Sequence, residues 1–125
     1  MPLTWREVGK LTRMQHSRSA EEADAAILAA IVRRTVPTFE PRKVILFGSR
    51  ARGAATAESD YDLLFVMSYT GSRLRTAVEI RKSLRGLGIA KDIFVLTPDE
   101  FETHRELAGT VAYPAAHEGR VLYAS

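Results

Sequence analysis

The sequence predicts one α/β (α+β) domain, a small mixed β-sheet flanked by helices, with the helices mainly on one face and the site at one sheet edge. Three observations carry this. The apolar runs within 42–47, 60–67 and 91–96 have strand length and are rich in Val, Ile, Leu and Phe. Segments with helical spacing lie before the first run, between the second and third, and after the third. At 125 residues the chain is long enough to bury one core.

Residues 1–18 show no clean period, with Trp5 and Leu11 isolated. They read as an N-terminal arm, either a mobile tail or one whose Trp5 anchors on a partner or a second subunit. The domain proper is expected over 19–125. Ser19-Ala20-Glu21-Glu22 has a cap and first-turn acids. Ala23, Ile27, Ala30 and Ile31 then follow at helical spacing, and Pro37 is expected to stop the helix near Arg34 or Thr35. Four consecutive apolar residues, Val44 to Phe47, suggest a strand buried on both faces. Arg50 to Ala54 reads as a turn or short helix and Ala55 to Ser59 as a loop, and Asp60 to Met67 is the second strand. Ser72 caps a helix with Leu74, Ala77, Val78, Arg81, Leu84 and Leu87 along one side and Arg73, Arg75, Arg81, Lys82 and Arg85 mostly on the wet side. Such a basic face suits an acidic partner or RNA, or is simply solvated. Gly86 and Gly88 end it.

Lys91 to Leu96 is the third strand. Thr97-Pro98-Asp99-Glu100 is a helix start with cap, proline and first-turn acids in order. A further helical piece is expected from Leu107 to Ala116, interrupted by Gly109 and Pro114. Val121-Leu122-Tyr123 adds a short last strand.

The composition is that of a soluble globule, 46% hydrophobic and 26% charged. A net charge of +3 fits a nucleotide or RNA partner without requiring one. There is no cysteine, hence no disulfide and no thiolate metal site, as suits a cytoplasmic protein. No apolar run approaches a membrane span, and no signal-peptide pattern opens the chain. His16, His104 and His117 lack zinc-ligand spacing.

Two motifs concentrate the chemistry. Phe47-Gly48-Ser49-Arg50-Ala51-Arg52-Gly53 leaves the first strand, and Ser59-Asp60-Tyr61-Asp62-Leu63 enters the second. Gly48 permits a tight turn and close backbone approach. Amides at such a turn favour phosphate. Ser49 adds a hydroxyl, and Arg50 and Arg52 add charge. This is not a Walker loop, because the Gly-Lys-Ser/Thr ending is missing. Nor is Ser49 in a nucleophile elbow. Asp60 and Asp62, at i and i+2, share one strand face. Adjacent carboxylates repel unless a cation lies between them, and hard oxygen ligands suit Mg2+ with substrate phosphates. Asp92 stands at the same point of the third strand.

Gly48-Ser49 followed ten residues later by Asp60-Tyr61-Asp62 resembles the signature of the polymerase β-like nucleotidyltransferases. The fuller pattern, through Arg50, Arg52, Gly53, Ser59 and Leu63, is similar to their minimal (MNT) branch, small domains often encoded beside a HEPN-domain partner. The resemblance spans about Val44 to Leu96. It implies the polymerase β-like fold, Asp60, Asp62 and Asp92 as catalytic and metal-binding carboxylates for two Mg2+ ions, and nucleotide contacts from Gly48 and Ser49. Arg50 and Arg52 are candidates for phosphate neutralisation, Arg52 equally for a structural pair. ATP is the implied substrate. The implied role is an antitoxin of a type VII-like toxin-antitoxin pair that adds AMP to a tyrosine hydroxyl of a HEPN toxin. A chain this short has little room for its own acceptor pocket, which also points to another chain. Three readings stay open: this enzyme, a non-catalytic antitoxin that neutralises its partner by binding, and a small-molecule-modifying enzyme acting as a dimer. RNA as acceptor, the nucleotide used and self- or hetero-oligomerisation are left open by the residues.

Overall fold

A computed structural model describes residues 5–56 and 58–125, with side chains from residue 21 onward. The chain divides into two units, residues 1–30 and 31–125. The first consists of the greater part of helix α1, Trp5–Phe39. The backbone is helical from Trp5, with no start at Ser19. A Ser followed by Ala and Glu is compatible with a helix interior as well as with its start, so the cap pattern did not mark a boundary. The side chains of Trp5 and His16 lie outside the described residues.

Pro37 does not stop α1 either; it sits inside the final turn. Its missing N–H removes one bond near the helix end, where little helix remains to be disrupted. Termination falls to Glu40, left-handed at φ 50°, whose amide bonds the Val36 carbonyl at 3.0 Å.

The second unit carries the sheet. Its strands are β1 (Lys43–Phe47), β2 (Tyr61–Val66), β3 (Lys91–Leu96) and β4 (Arg120–Ala124), in the order β3-β2-β1-β4. β1 pairs antiparallel with β2 and β4, and β2 pairs parallel with β3. The sheet is therefore mixed, as the sequence suggested. Helix α2 (Arg73–Ser83) makes the β2-to-β3 crossover that a parallel pair requires. Helices α3 (Pro98–His104) and α4 (Ala112–Glu118) follow β3.

On one sheet face Ile45, Phe47, Leu64 and Val66 pack with Phe101 of α3 and Ala112 and Ala115 of α4. By strand alternation Val44, Leu46, Leu63 and Phe65 point to the opposite face, and they are buried too. Both faces of the two central strands are covered, where helices mainly on one face were expected. α4 begins at Ala112 rather than near Leu107; a turn fixed by Thr110 Oγ1 on the His104 and Leu107 carbonyls precedes it.

The face of α2 also differs from expectation. Ile80 and Leu84 are fully buried and fix the inward side. Leu74 and Val78, expected inside, are 75% and 41% exposed. They lie well around the helix from Ile80, because 100° per residue puts positions six and two before it away from its face.

The start of α3 is a complete capping box. Thr97 Oγ1 accepts from the Glu100 amide at 3.2 Å and Glu100 Oε1 accepts from the Thr97 amide at 2.9 Å. Glu100 also pairs with Arg73. The Thr97 amide, then the Thr97 hydroxyl and Arg73, hold the Glu100 carboxyl below its ordinary range. A depressed folded-state value stabilises the fold above the unfolded-state value and loses that effect as pH falls through the folded one. Thr97→Ala is expected to cost about 1 kcal/mol, and Glu100→Gln to lower the melting temperature at neutral pH. For Glu100→Gln the deficit should shrink to nothing in acid, which thermal melts across pH check directly.

Candidate active site

Three strand ends meet at one end of the sheet: the C-terminus of β1 and the N-termini of β2 and β3. Residue pairing sets Phe47 opposite Asp62 and Asp62 opposite Asp92. Directly paired residues in neighbouring strands share a face, so Phe47, Asp62 and Asp92 form one row. The row runs from the edge strand β3 to the central strands β2 and β1. Asp60 precedes β2 and is exposed.

The turn after β1 closes onto this row. Gly48 has φ 76°, and a Cβ there would land on Asp62 Oδ2 and lie 3.2 Å from Asp62 Cγ. Glycine is needed twice over, for the left-handed backbone and for the carboxylate that occupies the side-chain space. The Gly48 carbonyl accepts from the amides of Ala51 at 3.1 Å and Arg52 at 3.2 Å, and the Ser49 carbonyl accepts from the Ala54 amide at 3.0 Å. These bonds wind residues 48–54 into a tight turn. Among the described residues, the Ser49 amide and hydroxyl have no intramolecular partner. Both are available to meet an anion.

Asp62 is electrostatically loaded. Burial first, then the charges of Asp92 and Asp60 and a hydrogen bond with Asp92, raise its carboxyl above the ordinary range, while Arg52 opposes them. Asp92 is the cross-strand neighbour of Asp62, and Asp60 acts on Asp62 through its charge. Among the described residues no three His, Cys, Asp or Glu side chains are gathered closely enough to hold a metal ion. The donor chemistry nonetheless fits a hard divalent cation. It offers only carboxylate oxygens, they repel one another, and their number leaves positions for phosphate oxygens.

The two arginines of the turn diverge. Arg50 Nε donates to the Ser59 carbonyl at 2.9 Å and Nη2 to the Thr56 carbonyl at 3.4 Å. Its guanidinium lies 4.0 Å from the Tyr61 ring centroid, and Tyr61 lies on the opposite strand face from Asp62. Arg50 ties the turn to the loop that delivers Asp60. Arg52 acts on Asp62 and forms a half-exposed 3.4 Å pair with Glu118, at the end of α4. Glu118 was not singled out in the sequence. It stands 66 residues beyond Arg52, and no local pattern links the two. Tyr61 likewise was read only as the residue between two aspartates.

Residues 26–113 match the family model described as Nucleotidyltransferase domain. Among solved structures, one similar to this chain is a provisionally assigned nucleotidyltransferase from Sulfolobus solfataricus, with 25% identity, a TM-score of 0.56, and coverage of 82% of this chain and 85% of that one. Another is a toxin-antitoxin with AMP-PNP, with 16% identity, a TM-score of 0.48, and coverage of 78% and 73%. No curated protein sequence matches the chain.

Proposed function

The chain belongs to the nucleotidyltransferase domain family of enzymes, and from that premise we propose that it transfers AMP from ATP to a hydroxyl of a partner protein. The partner we propose is a HEPN-domain toxin, with a tyrosine as acceptor and this chain as antitoxin. The observation that carries the chemistry is the row of Asp62 and Asp92 in direct register beneath the Gly48 turn.

In this reading the Ser49 amide and hydroxyl hold the β- and γ-phosphates of ATP. Asp60, Asp62 and Asp92 are the ligands for Mg2+, which when bound supplies charge neutralisation at the phosphates and a lowered pKa of the acceptor hydroxyl. Asp92, more exposed than Asp62, faces the incoming hydroxyl and takes its proton. The hydroxyl oxygen bonds to the α-phosphorus in line as the bond to the bridging oxygen breaks. Pyrophosphate leaves with that electron pair beside Ser49. Arg52, which already acts on Asp62, is the cation of the turn on the carboxylate side. Arg50 holds the loop and acts through position. The catalysis is orientation and electrostatics, with no covalent enzyme intermediate.

Intact mass spectrometry tests it. The chain is incubated with ATP, Mg2+ and the product of a neighbouring HEPN gene, with Asp60→Asn as control. The expected result is a partner mass gain of one or more AMP residues, absent with the variant. A stable complex with no mass gain from any nucleoside triphosphate would instead establish the binding antitoxin. Modification of a small molecule by the chain alone would overturn the protein acceptor.

A further inference from the structure

The outward face of α2 has no counterpart in the proposed chemistry. Leu74 and Val78 stand one helical turn apart on it and are 75% and 41% exposed. They line a groove of about 610 Å³ together with Gly71, Arg75 and Lys82. Charge concentrates on the same helix. Within α2 Arg73, Arg75, Arg81 and Lys82 are all exposed, against Glu79 alone, and exposed Arg85 follows just after its end. Basic groups outnumber acidic ones there, a local surplus of positive charge. Lys82 pairs with Glu79 at 3.3 Å. Among the described residues the guanidinium groups of Arg75 and Arg81 meet no carboxylate.

We propose that this face of α2 docks an acidic amphipathic helical segment of a partner protein. An amphipathic helix lays its apolar face into an apolar groove, and Leu74 and Val78 supply the apolar wall of this one. The surrounding cations select a segment whose flanks carry Asp and Glu. A nucleic acid fits the cations but not the aliphatic pair, since Leu and Val have no ring on which a base stacks. The inference concerns recognition and is independent of the chemistry at the carboxylates. The crossover does connect the two: α2 runs from the far end of the sheet back to the end bearing Asp62 and Asp92, so Arg81 and Arg85 lie nearer the carboxylates than Leu74 does.

The test uses the full chain and a fluorescent helical peptide of glutamate and alanine carrying two leucines one turn apart. Anisotropy should show saturable binding that weakens about tenfold or more in Leu74→Ser with Val78→Ser. A similar loss is expected in Arg75→Glu with Lys82→Glu, or when the peptide's leucines become alanine. All four positions are exposed, and circular dichroism should show the variants folded. Absence of binding, binding indifferent to Leu74→Ser, or tighter binding of a single-stranded RNA would overturn the proposal. So would sedimentation of the wild type as a dimer that Leu74→Ser dissociates, because the face would then belong to a second copy of this chain.

Discussion

Asp62→Asn is expected to abolish nucleotidyl transfer without lowering the melting temperature of the metal-free protein. Two opposite effects meet at this residue. For the reaction, it is the proposed metal ligand with carboxylates on both sides, Asp92 across the strand pair and Asp60 two residues before it. Removing such a ligand forfeits several kcal/mol of charge stabilisation in the transition state, a loss of roughly 10²–10⁴-fold in rate. For the metal-free fold, the ionised group is a burden. Burial and its two neighbours raise its folded-state pKa, so the folded protein binds the proton more tightly than the unfolded chain does. Stability therefore falls as pH rises from the unfolded-state value through the folded one, and the penalty persists above it. Asparagine has no charge to bury, so the variant should melt at or above the wild-type temperature at neutral pH. Added Mg2+ should raise the wild-type melting temperature more than that of Asp62→Asn. Thermal melts with and without Mg2+, beside a transfer assay, separate the effects. Near wild-type transfer, or a clear drop in metal-free stability, would remove Asp62 from the role assigned to it.

Gly48→Ala is expected to damage fold and activity together, for reasons that a double-mutant cycle separates. The backbone there has φ 76°, which in a non-glycine residue costs on the order of 1–3 kcal/mol. The new methyl group also falls on the Asp62 carboxylate, which must swing away. A displacement of about 1 Å at a reacting centre is enough for a roughly 10²-fold loss in rate. In an Asp62→Ala background the collision disappears while the strained backbone remains. Gly48→Ala should then cost measurably less stability than it does alone, a coupling of about 0.5 kcal/mol or more between contacting residues. Strict additivity in denaturant titrations would show that the turn and the carboxylate do not compete for one space.

The elements that could be read directly were those whose signals are local. Lys91 to Leu96 is a strand with the expected bounds, and the Thr97-Pro98-Asp99-Glu100 start is a capping box made entirely within four residues. Helix α1 was misjudged at both ends. Ser19 and Pro37 are boundary residues only by preference, and a helix passes through both positions. The outward turn of Leu74 and Val78 was missed because apolar spacing names two faces of a short helix, and which one is inside depends on what Ile80 and Leu84 meet.

By itself the sequence determined the chemistry available at one end of the sheet: a Gly48-Ser49 turn after one apolar run, and the acids Asp60, Asp62 and Asp92 at the entrance of two others. Spacing along a strand sets which residues share a face, and that is a property of the chain alone. The tertiary structure decided who meets whom. The parallel register of β2 and β3 set Asp62 beside Asp92, the left-handed Gly48 brought the turn onto Asp62, and packing on opposite sheet faces sent Arg50 to Tyr61 and Arg52 to Glu118. Such contacts join residues from 11 to 66 positions apart. Their pairing follows from strand register and helix packing summed over the whole core, and no local pattern encodes that sum.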